Sequence, residues 1–174
     1  MEVRIHGDPD GGPPVDLDHT WFSYAGKFVM TAYGKAVADI DGAIVAAIAF
    51  NRDRTDHATV WFRYLTVRTD RRASGIGARL SKTVADRLLE DGTTAIRIAV
   101  NNPFAYEACY KAGFGFIGEE TGLAELVLQY PGDRTADRYQ SGLRRFLDRE
   151  DLGDGERSFV NRRLDGGPPA TLAV

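Results

Sequence analysis

The chain has 174 residues, which is enough for one domain of ordinary size with a complete hydrophobic core. Its 43% apolar and 27% charged residues are typical of a soluble globular protein, and a formal net charge of −3 gives no reason to expect nucleic acid as a partner. The single cysteine excludes an internal disulfide framework and favours the cytosol, and no apolar run is long enough to span a membrane. The composition therefore predicts a soluble cytoplasmic protein.

The first half of the chain is predicted to form mostly strands. EVRIH at residues 2–6 has the pattern of a short strand. Asp41-Gly42 joins two apolar runs and predicts a hairpin, because this pair tolerates the positive φ values of a type I′ turn. A further strand is predicted over 59–67. Apolar residues between 21 and 33 recur at helical spacing and predict a helix, with an extended conformation as the alternative because Gly26 interrupts the pattern.

The second half is predicted to alternate helices with strands. An apolar stripe predicts a helix at about 76–91, and Asn102 and Gly113 favour the start and end of a short second helix. The remaining elements are predicted as strands at 95–100, 114–118 and 123–130 and an amphipathic helix at about 134–149. Pro131-Gly132 marks the expected end of a main domain over 1–130. The C-terminal extension, 131–174, is expected to be loosely structured beyond residue 149 because it is rich in Gly, Pro, Asp and Arg.

Glycines in the segment RRASGIGARL, residues 71–80, suggest a loop that holds a phosphate group. A P-loop would need a lysine followed by serine or threonine directly after its last glycine, and neither is present. A dinucleotide-binding loop would need a third glycine, where Leu80 stands. The pattern that fits is R-x-x-G-x-G, from Arg72 to Gly77. Its successive backbone N–H groups at a helix start favour an anion, and glycine lets a pyrophosphate approach the backbone.

With these residues the chain resembles the GNAT acyltransferase superfamily. Val67 stands where the family has a strand-end valine, while Thr69 replaces its usual proline and Ala73 a frequent glycine. Downstream, NNPFAYEACYKAGF is similar to the family's N-x-x-A…Y…G-F segment, through Asn102, Ala105 and Gly113-Phe114. The resemblance implies an α/β (α+β) fold with a mixed, mostly antiparallel central sheet, helices on both faces and a C-terminal helical extension.

The resemblance also implies that acetyl-CoA is the acyl donor and lies where the sheet splays between the strands at 59–67 and 95–100. The backbone near Leu65–Val67 would pair with the pantetheine arm, and one N–H there would polarise the thioester carbonyl. Amides of the loop would hold the pyrophosphate, with Arg71 and Arg72 adding charge. The cofactor-binding residues expected on this resemblance are Leu65, Thr66, Val67, Arg71, Arg72, Ala73, Ser74, Gly75, Ile76, Gly77 and Asn102.

A tyrosine in the helix before Gly113-Phe114 usually protonates the departing thiolate in this family. Counting back from Gly113 places Cys109 at the usual tyrosine position, and Tyr110 follows one residue later. Tyr106, Cys109 and Tyr110 stand at i, i+3 and i+4 and are predicted to share one helix face. Tyr110 is predicted to be the acid, because a phenol with a pKa of about 10 stays protonated at neutral pH, and Cys109 is the alternative.

The group that removes a proton from the attacking amine is left open by the sequence. Many family members carry a carboxylate on the strand at 59–67, whereas Arg63 is the only charged residue in this one. Candidates by chemistry alone are Glu119, Glu120, Asp53, Asp56, His57 and His19, and water can relay the proton instead. The histidines have no neighbours at metal-ligand spacing, so no metal is predicted.

The resulting prediction is an acetyl-CoA-dependent N-acetyltransferase that acts on the amine of a small molecule or peptide, without nucleic acid or a membrane as partner. A non-catalytic CoA-binding module of the same fold is the alternative, because the strand carboxylate is absent and the tyrosine is shifted. A nicotinamide-dinucleotide enzyme is a third hypothesis, which depends on Gly75-Ile76-Gly77 alone. The apolar stripe of the extension must be buried against the domain itself or a second subunit, so homodimerisation is expected as one arrangement.

Overall fold

The computed structural model describes all 174 residues and contains seven strands and four α-helices. The strands form where apolar residues alternate with polar ones or run together, and most of the helices form where apolar residues recur at helical spacing. The strands are β1 (Glu2–His6), β2 (Gly34–Ile40), β3 (Ala43–Arg52), β4 (Thr59–Val67), β5 (Ala95–Val100), β6 (Gly115–Glu120) and β7 (Leu126–Tyr130). The helices are α1 (Ile76–Glu90), α2 (Pro103–Ala112), α3 (Ala136–Leu147) and α4 (Asp154–Arg163). The sheet is mostly antiparallel, which confirms the predicted α/β class.

The residues fall into two compact units, one formed by 1–96 with Val174 and the other by 97–173. This division lies within β5. Residues 97–130 therefore share a unit with the extension.

In the first unit, β1 to β4 follow one another in an antiparallel meander. The predicted hairpin is confirmed, because Asp41 and Gly42 both have positive φ, 51° and 79°. Five alanines in β2 and β3 are fully buried and let side chains pack closely on the sheet: Ala36, Ala38, Ala46, Ala47 and Ala49. One layer is α1, which packs against β3 and β4. Another is a cluster that includes Leu17, Phe22 and Phe28 and packs with Val37 and Ala47 of the sheet.

The helix predicted between residues 21 and 33 is wrong. The segment consists mostly of turns, with one short 3-10 helix at Ala25–Lys27, and Tyr24 has a left-handed backbone with φ 62°. The buried Lys35 ammonium donates to the Met30 carbonyl of this segment and to the backbone oxygens of Gly12 and Pro13, which precede it. Burying this charge costs free energy and lowers the pKa of Lys35. The three hydrogen bonds offset that cost, and no local sequence pattern predicts them.

The pairing of β3 with β4 contains a register shift. Ala49 pairs with Tyr64, but the next residue, Phe50, pairs with Phe62. Arg63 is therefore the extra, unpaired residue of a β-bulge. Since a bulge breaks the strict alternation of side chains, Arg63 and Tyr64 line the same cavity although they are neighbours in sequence.

In the second unit, both predicted boundaries of α2 are confirmed. The Asn102 side chain accepts a hydrogen bond from the Ala105 N–H at 2.8 Å, and Gly113 ends the helix with φ 103°. The predicted amphipathic helix is α3, which buries Tyr139, Leu143 and Phe146 on its apolar face. This stripe is covered within the single chain, so it no longer argues for a homodimer.

The expectation of loose structure after residue 149 is wrong, because α4 forms there. Glu156 accepts the Gly153 N–H at the start of this helix, and Val160 is fully buried. The Phe159 ring lies 4.7 Å from the Phe104 ring. Two adjacent apolar residues in a polar segment make too short a stripe to predict a helix from the sequence.

Candidate functional site

The glycine-rich loop joins β4 to α1 and is exposed from residue 71 to residue 75. Gly75 precedes the first helical residue with φ 79°, and Ala73 is also left-handed with φ 60°. The latter conformation costs alanine about 1 kcal/mol relative to glycine, so Ala73 occupies a position whose geometry favours the glycine it replaces. These two left-handed residues change the direction of the backbone between β4 and α1.

The N-terminus of α1 has no side-chain cap. Gly75 supplies no capping atom, the first turn contains no acidic residue, and the backbone hydrogen bonding begins with the Arg79 N–H donating to the Gly75 oxygen. The helix N–H groups that precede this bond, together with the helix dipole, favour a negatively charged ligand. Because α1 is fifteen residues long, its aligned peptide dipoles sum to a full helix dipole, whose positive end lies at the loop.

The two loop glycines have different structural roles. A side chain on Gly75 would meet no atom within 4 Å, so this position faces open space through which a ligand can approach the backbone. A Cβ on Gly77 would lie 3.2 Å from a methyl carbon of Val67, because α1 lies close to the end of β4. Gly77 thus serves the packing of helix on strand, and Gly75 serves the shape and access of the loop.

Two side chains of the loop, Arg72 and Ser74, are held by neighbouring groups. Arg72 donates to the Ser23 hydroxyl oxygen at 3.1 Å, which leaves its guanidinium exposed beside the loop. Ser74 donates its hydroxyl proton to the Arg71 carbonyl and so closes the turn. The backbone of Leu65–Val67 pairs with β3, and the buried hydroxyl of Thr66 has no hydrogen-bond partner.

Tyr110 and Cys109 lie on α2 and are both buried. The Tyr110 hydroxyl oxygen accepts the Phe116 N–H at 2.9 Å, and the Tyr110 ring lies 5.0 Å from the Tyr106 ring. Burial raises the pKa of Tyr110 and raises that of Cys109 to about 12. Both groups are therefore protonated at neutral pH, in a conformation that presents neither of them to solvent.

Two of the candidate proton acceptors in the first unit, Asp53 and Asp56, accept hydrogen bonds within the loop between β3 and β4. The Asp53 carboxylate accepts hydrogen bonds from the Trp61 indole at 2.7 Å, from both polar groups of Thr55 and from the Asp56 N–H. These bonds, the indole first, hold the pKa of Asp53 well below its usual range. Asp56 accepts from the Ala58 N–H and the Thr59 hydroxyl. The lowered pKa makes the Asp53 carboxylate a weak base.

The other candidates are scattered. Glu120 forms an ion pair with Arg145 in the second unit, while His19, His57 and Glu119 are exposed. No group of three or more His, Cys, Asp or Glu side chains is placed to share a metal ion. None of the helices has the length and apolar character needed to cross a bilayer.

Sequence reasoning missed a cavity of about 550 Å³ on the face of β3 and β4. Its walls include Tyr33, Asn51, Asp53, Trp61, Arg63 and Tyr64. The available signal was Arg63, a single charge in an otherwise apolar strand. The bulge that directs Arg63 into the cavity could not be seen in the sequence.

Residues 4–116 match the family model described as the acetyltransferase (GNAT) family. The match covers more than half of the chain, so the protein belongs to this family and the resemblance found in its motifs is confirmed. The search of curated proteins gave no match.

Solved structures with a similar fold include proteins described as N-acetyltransferases. An N-acetyltransferase from Staphylococcus aureus Mu50 is 14% identical, with a TM-score of 0.49 over 56% of this chain and 66% of that one. Tetrahymena GCN5 is 15% identical, with a TM-score of 0.49 over 61% of this chain and 72% of that one. The PaiA N-acetyltransferase from Thermoplasma acidophilum, in complex with coenzyme A, is 18% identical, with a TM-score of 0.47 over 55% of this chain and 58% of that one. The similar region thus spans about two thirds of the Staphylococcus protein.

Proposed function

We propose that this protein transfers an acetyl group from acetyl-CoA to the primary amine of a small molecule or peptide, in the cytoplasm and without a metal. The observation that carries this proposal is the uncapped N-terminus of α1 behind an exposed glycine loop, in a chain of the GNAT family. The amides of residues 72–77 would hold the CoA pyrophosphate, and Arg71 and Arg72 would add charge at the rim.

The reaction is direct attack of the amine on the thioester carbonyl. A new N–C bond forms, the C–S bond breaks, the amine loses a proton and the departing thiolate gains one. A backbone N–H near Leu65–Val67 would stabilise the oxyanion that forms on the carbonyl oxygen. Asp53 and Asp56 are engaged in hydrogen bonds, and we propose that water carries the proton of the amine to solvent.

Acetyl-CoA binding tests the loop. We expect acetyl-CoA to raise the melting temperature of the wild type and Gly75→Asp to abolish that rise, because the variant places a carboxylate among the N–H groups. Gly42→Asp is a matched control: Gly42 also has φ 79° and open space around it, but it lies in the β2–β3 turn. Both variants carry the same backbone strain. The proposal is therefore supported only if Gly75→Asp loses the stabilisation by acetyl-CoA and Gly42→Asp keeps it.

The same measurement of melting temperature, with NAD in place of acetyl-CoA, tests the hypothesis that the loop binds a nicotinamide dinucleotide. Stabilisation by NAD and not by acetyl-CoA would overturn the assignment of the loop to CoA. Unchanged acetyl-CoA binding by Gly75→Asp would show that the pyrophosphate lies elsewhere.

Tyr110 remains the proposed acid. We expect Tyr110→Phe to slow turnover while acetyl-CoA affinity is kept, because the phenol would protonate the thiolate. The same change leaves the buried Phe116 N–H without a partner, which costs about 1–3 kcal/mol of stability. Rates are therefore compared at a temperature where urea titration shows both proteins folded. Unchanged turnover would transfer the role to Cys109, tested as Cys109→Ala, or to water.

A second candidate is a non-catalytic CoA-binding module. The burial of both Tyr110 and Cys109 and the absence of a carboxylate on β4 favour it. Release of free CoA thiol, screened over amines, amino acids and peptides, distinguishes the two functions. Thiol release that depends on an amine supports the transferase, and acetyl-CoA binding without release supports the module.

A further inference from the structure

The cavity on β3 and β4 contains a cation whose hydrogen-bonding capacity is mostly unused. Arg63 is exposed there and donates its Nε–H to the Asn51 side-chain oxygen at 2.7 Å. The two terminal nitrogens of the guanidinium have no acceptor within the chain. They are the pair that binds both oxygens of a carboxylate in the bidentate geometry arginine favours.

The position of this guanidinium is fixed before any ligand arrives. Its central carbon lies 5.1 Å from the centre of the Trp61 ring, over which the cation stacks. The ring is held in turn by the indole N–H bond to Asp53. With Asn51 on the Nε side, Arg63 is restrained at two points, so little side-chain freedom is lost when an anion binds.

The charge in the cavity favours an anion. Asp53 is its only carboxylate, and both of its oxygens already accept hydrogen bonds. Arg54 also lines the cavity and has no ion-pair partner. Two cations therefore face one engaged carboxylate.

The other walls are aromatic. Tyr33 and Tyr64 meet edge to face, with ring centres 5.9 Å apart. Rings beside a fixed guanidinium suit a small molecule with a carboxylate and an apolar body. The site is too open for a ligand held by apolar contacts alone, so the carboxylate must supply much of the affinity.

We propose that Arg63 binds the carboxylate of the acyl acceptor, which makes the acceptor an amino acid or a similar amine-bearing acid. This inference rests on the proposed transferase function. Arg63 precedes Leu65 by two residues, about 7 Å along a strand. An acid anchored at Arg63 would thus hold its amine near the backbone proposed to bind the thioester.

Binding can be measured without turnover. The chain has two tryptophans, so Trp21→Phe leaves Trp61, in the cavity wall, as the only indole. Its fluorescence is titrated with the common L-amino acids other than tryptophan, each as the free acid and as its α-carboxamide, in the presence of CoA. We expect at least one acid to bind about tenfold more tightly than its amide, because the amide lacks the charge-assisted bonds.

Variants assign that preference to Arg63. Arg63→Gln should remove it, and Arg63→Lys should keep only part of it because a lysine cannot form the bidentate pair. Arg162→Gln, which removes an exposed charge on α4, is the control and should leave it unchanged. The inference is overturned if no acid binds more tightly than its amide, or if Arg63→Gln keeps the preference.

Failure of the inference and failure of the proposed function give different results. Amine-dependent thiol release without a preference for acids keeps the transferase and overturns the carboxylate site. A preference for acids without thiol release from any amine keeps the binding site and overturns the transferase.

Discussion

Asp53 illustrates how neighbouring groups decide what a residue can do. By residue type it is one of several acids that could accept a proton, and it lies with Arg63 and Trp61 in the cavity proposed to bind the carboxylate of the acceptor. Its oxygens are instead used by an indole, a hydroxyl and two backbone N–H groups. A carboxylate in that setting organises the β3–β4 loop and supports Trp61.

The pH dependence of stability checks this role. Because the folded pKa of Asp53 is lowered, its contribution is fully present above the ordinary aspartate pKa of about 3.9 and is lost as the pH falls through the lower folded value. Asp53→Asn should lower the free energy of unfolding by about 1 kcal/mol at neutral pH. Urea titrations should show that difference shrinking below pH 4.

Asp16→Asn serves as the control for this measurement. Asp16 is exposed and has no hydrogen-bond partner, so the same chemical change there should leave stability nearly unaltered at every pH. Equal effects of the two variants would show that the bonds to Asp53 contribute nothing.

At the scale of helices, strands and turns, the sequence predicts the features that depend on residues close together in the chain. The Asp41-Gly42 turn, the caps of α2 and the loop before α1 are all specified by residues within a few positions of each other. Lys35 instead reaches the carbonyls of Gly12 and Pro13, 23 and 22 positions away, and the direction of Arg63 depends on a bulge in the pairing of β4 with β3. Side chains that act over long distances in sequence left no periodic signal, so the cavity could not be predicted.

Helix α3 approaches α2 through a glycine. A Cβ on Gly142 would lie 2.1 Å from the Tyr106 hydroxyl oxygen, and that hydroxyl donates to the Tyr139 carbonyl in the same helix. The absence of a side chain at this one position permits both the close packing and the hydrogen bond.

Gly142→Ala is therefore expected to lower the stability of the protein, although alanine normally stabilises a helix relative to glycine. Alanine within a helix ordinarily adds up to about 1 kcal/mol of stability, but here it should cost about 2 kcal/mol or more by displacing the Tyr106 ring. Gly155→Ala in α4 provides the comparison, since its Cβ would meet nothing within 4 Å. Thermal unfolding should show opposite signs, and a stabilised Gly142→Ala would refute the close contact.

At the scale of the whole molecule, the extension is an integral part of the second unit. Tyr139 donates to the buried Glu107 carboxylate at 2.5 Å, and Arg163 pairs with the same carboxylate at 3.3 Å. Arg134 donates to the carbonyls of Tyr110 and Phe114. These bonds join residues after 131 to the helix that carries the proposed acid.

Removing residues 131–174 should therefore expose the aromatic face of α2 and prevent cooperative unfolding of the second unit. We expect the truncated chain to bind a hydrophobic dye and to lose its near-ultraviolet circular dichroism signal. Removing only the last two residues controls for shortening the chain. A cooperative melt of the 1–130 fragment near the full-length temperature would contradict this expectation.

The placement of three side chains gives each unit its own intrinsic reporter. Both tryptophans, Trp21 and Trp61, lie in the first unit, and the only thiol, Cys109, lies buried in the second. Burial and a pKa of about 12 make that thiol unreactive until the second unit opens. The rate of Cys109 alkylation therefore measures opening of one unit while indole emission follows the other. An unmodified wild-type chain thus reports its cooperativity through two separate signals.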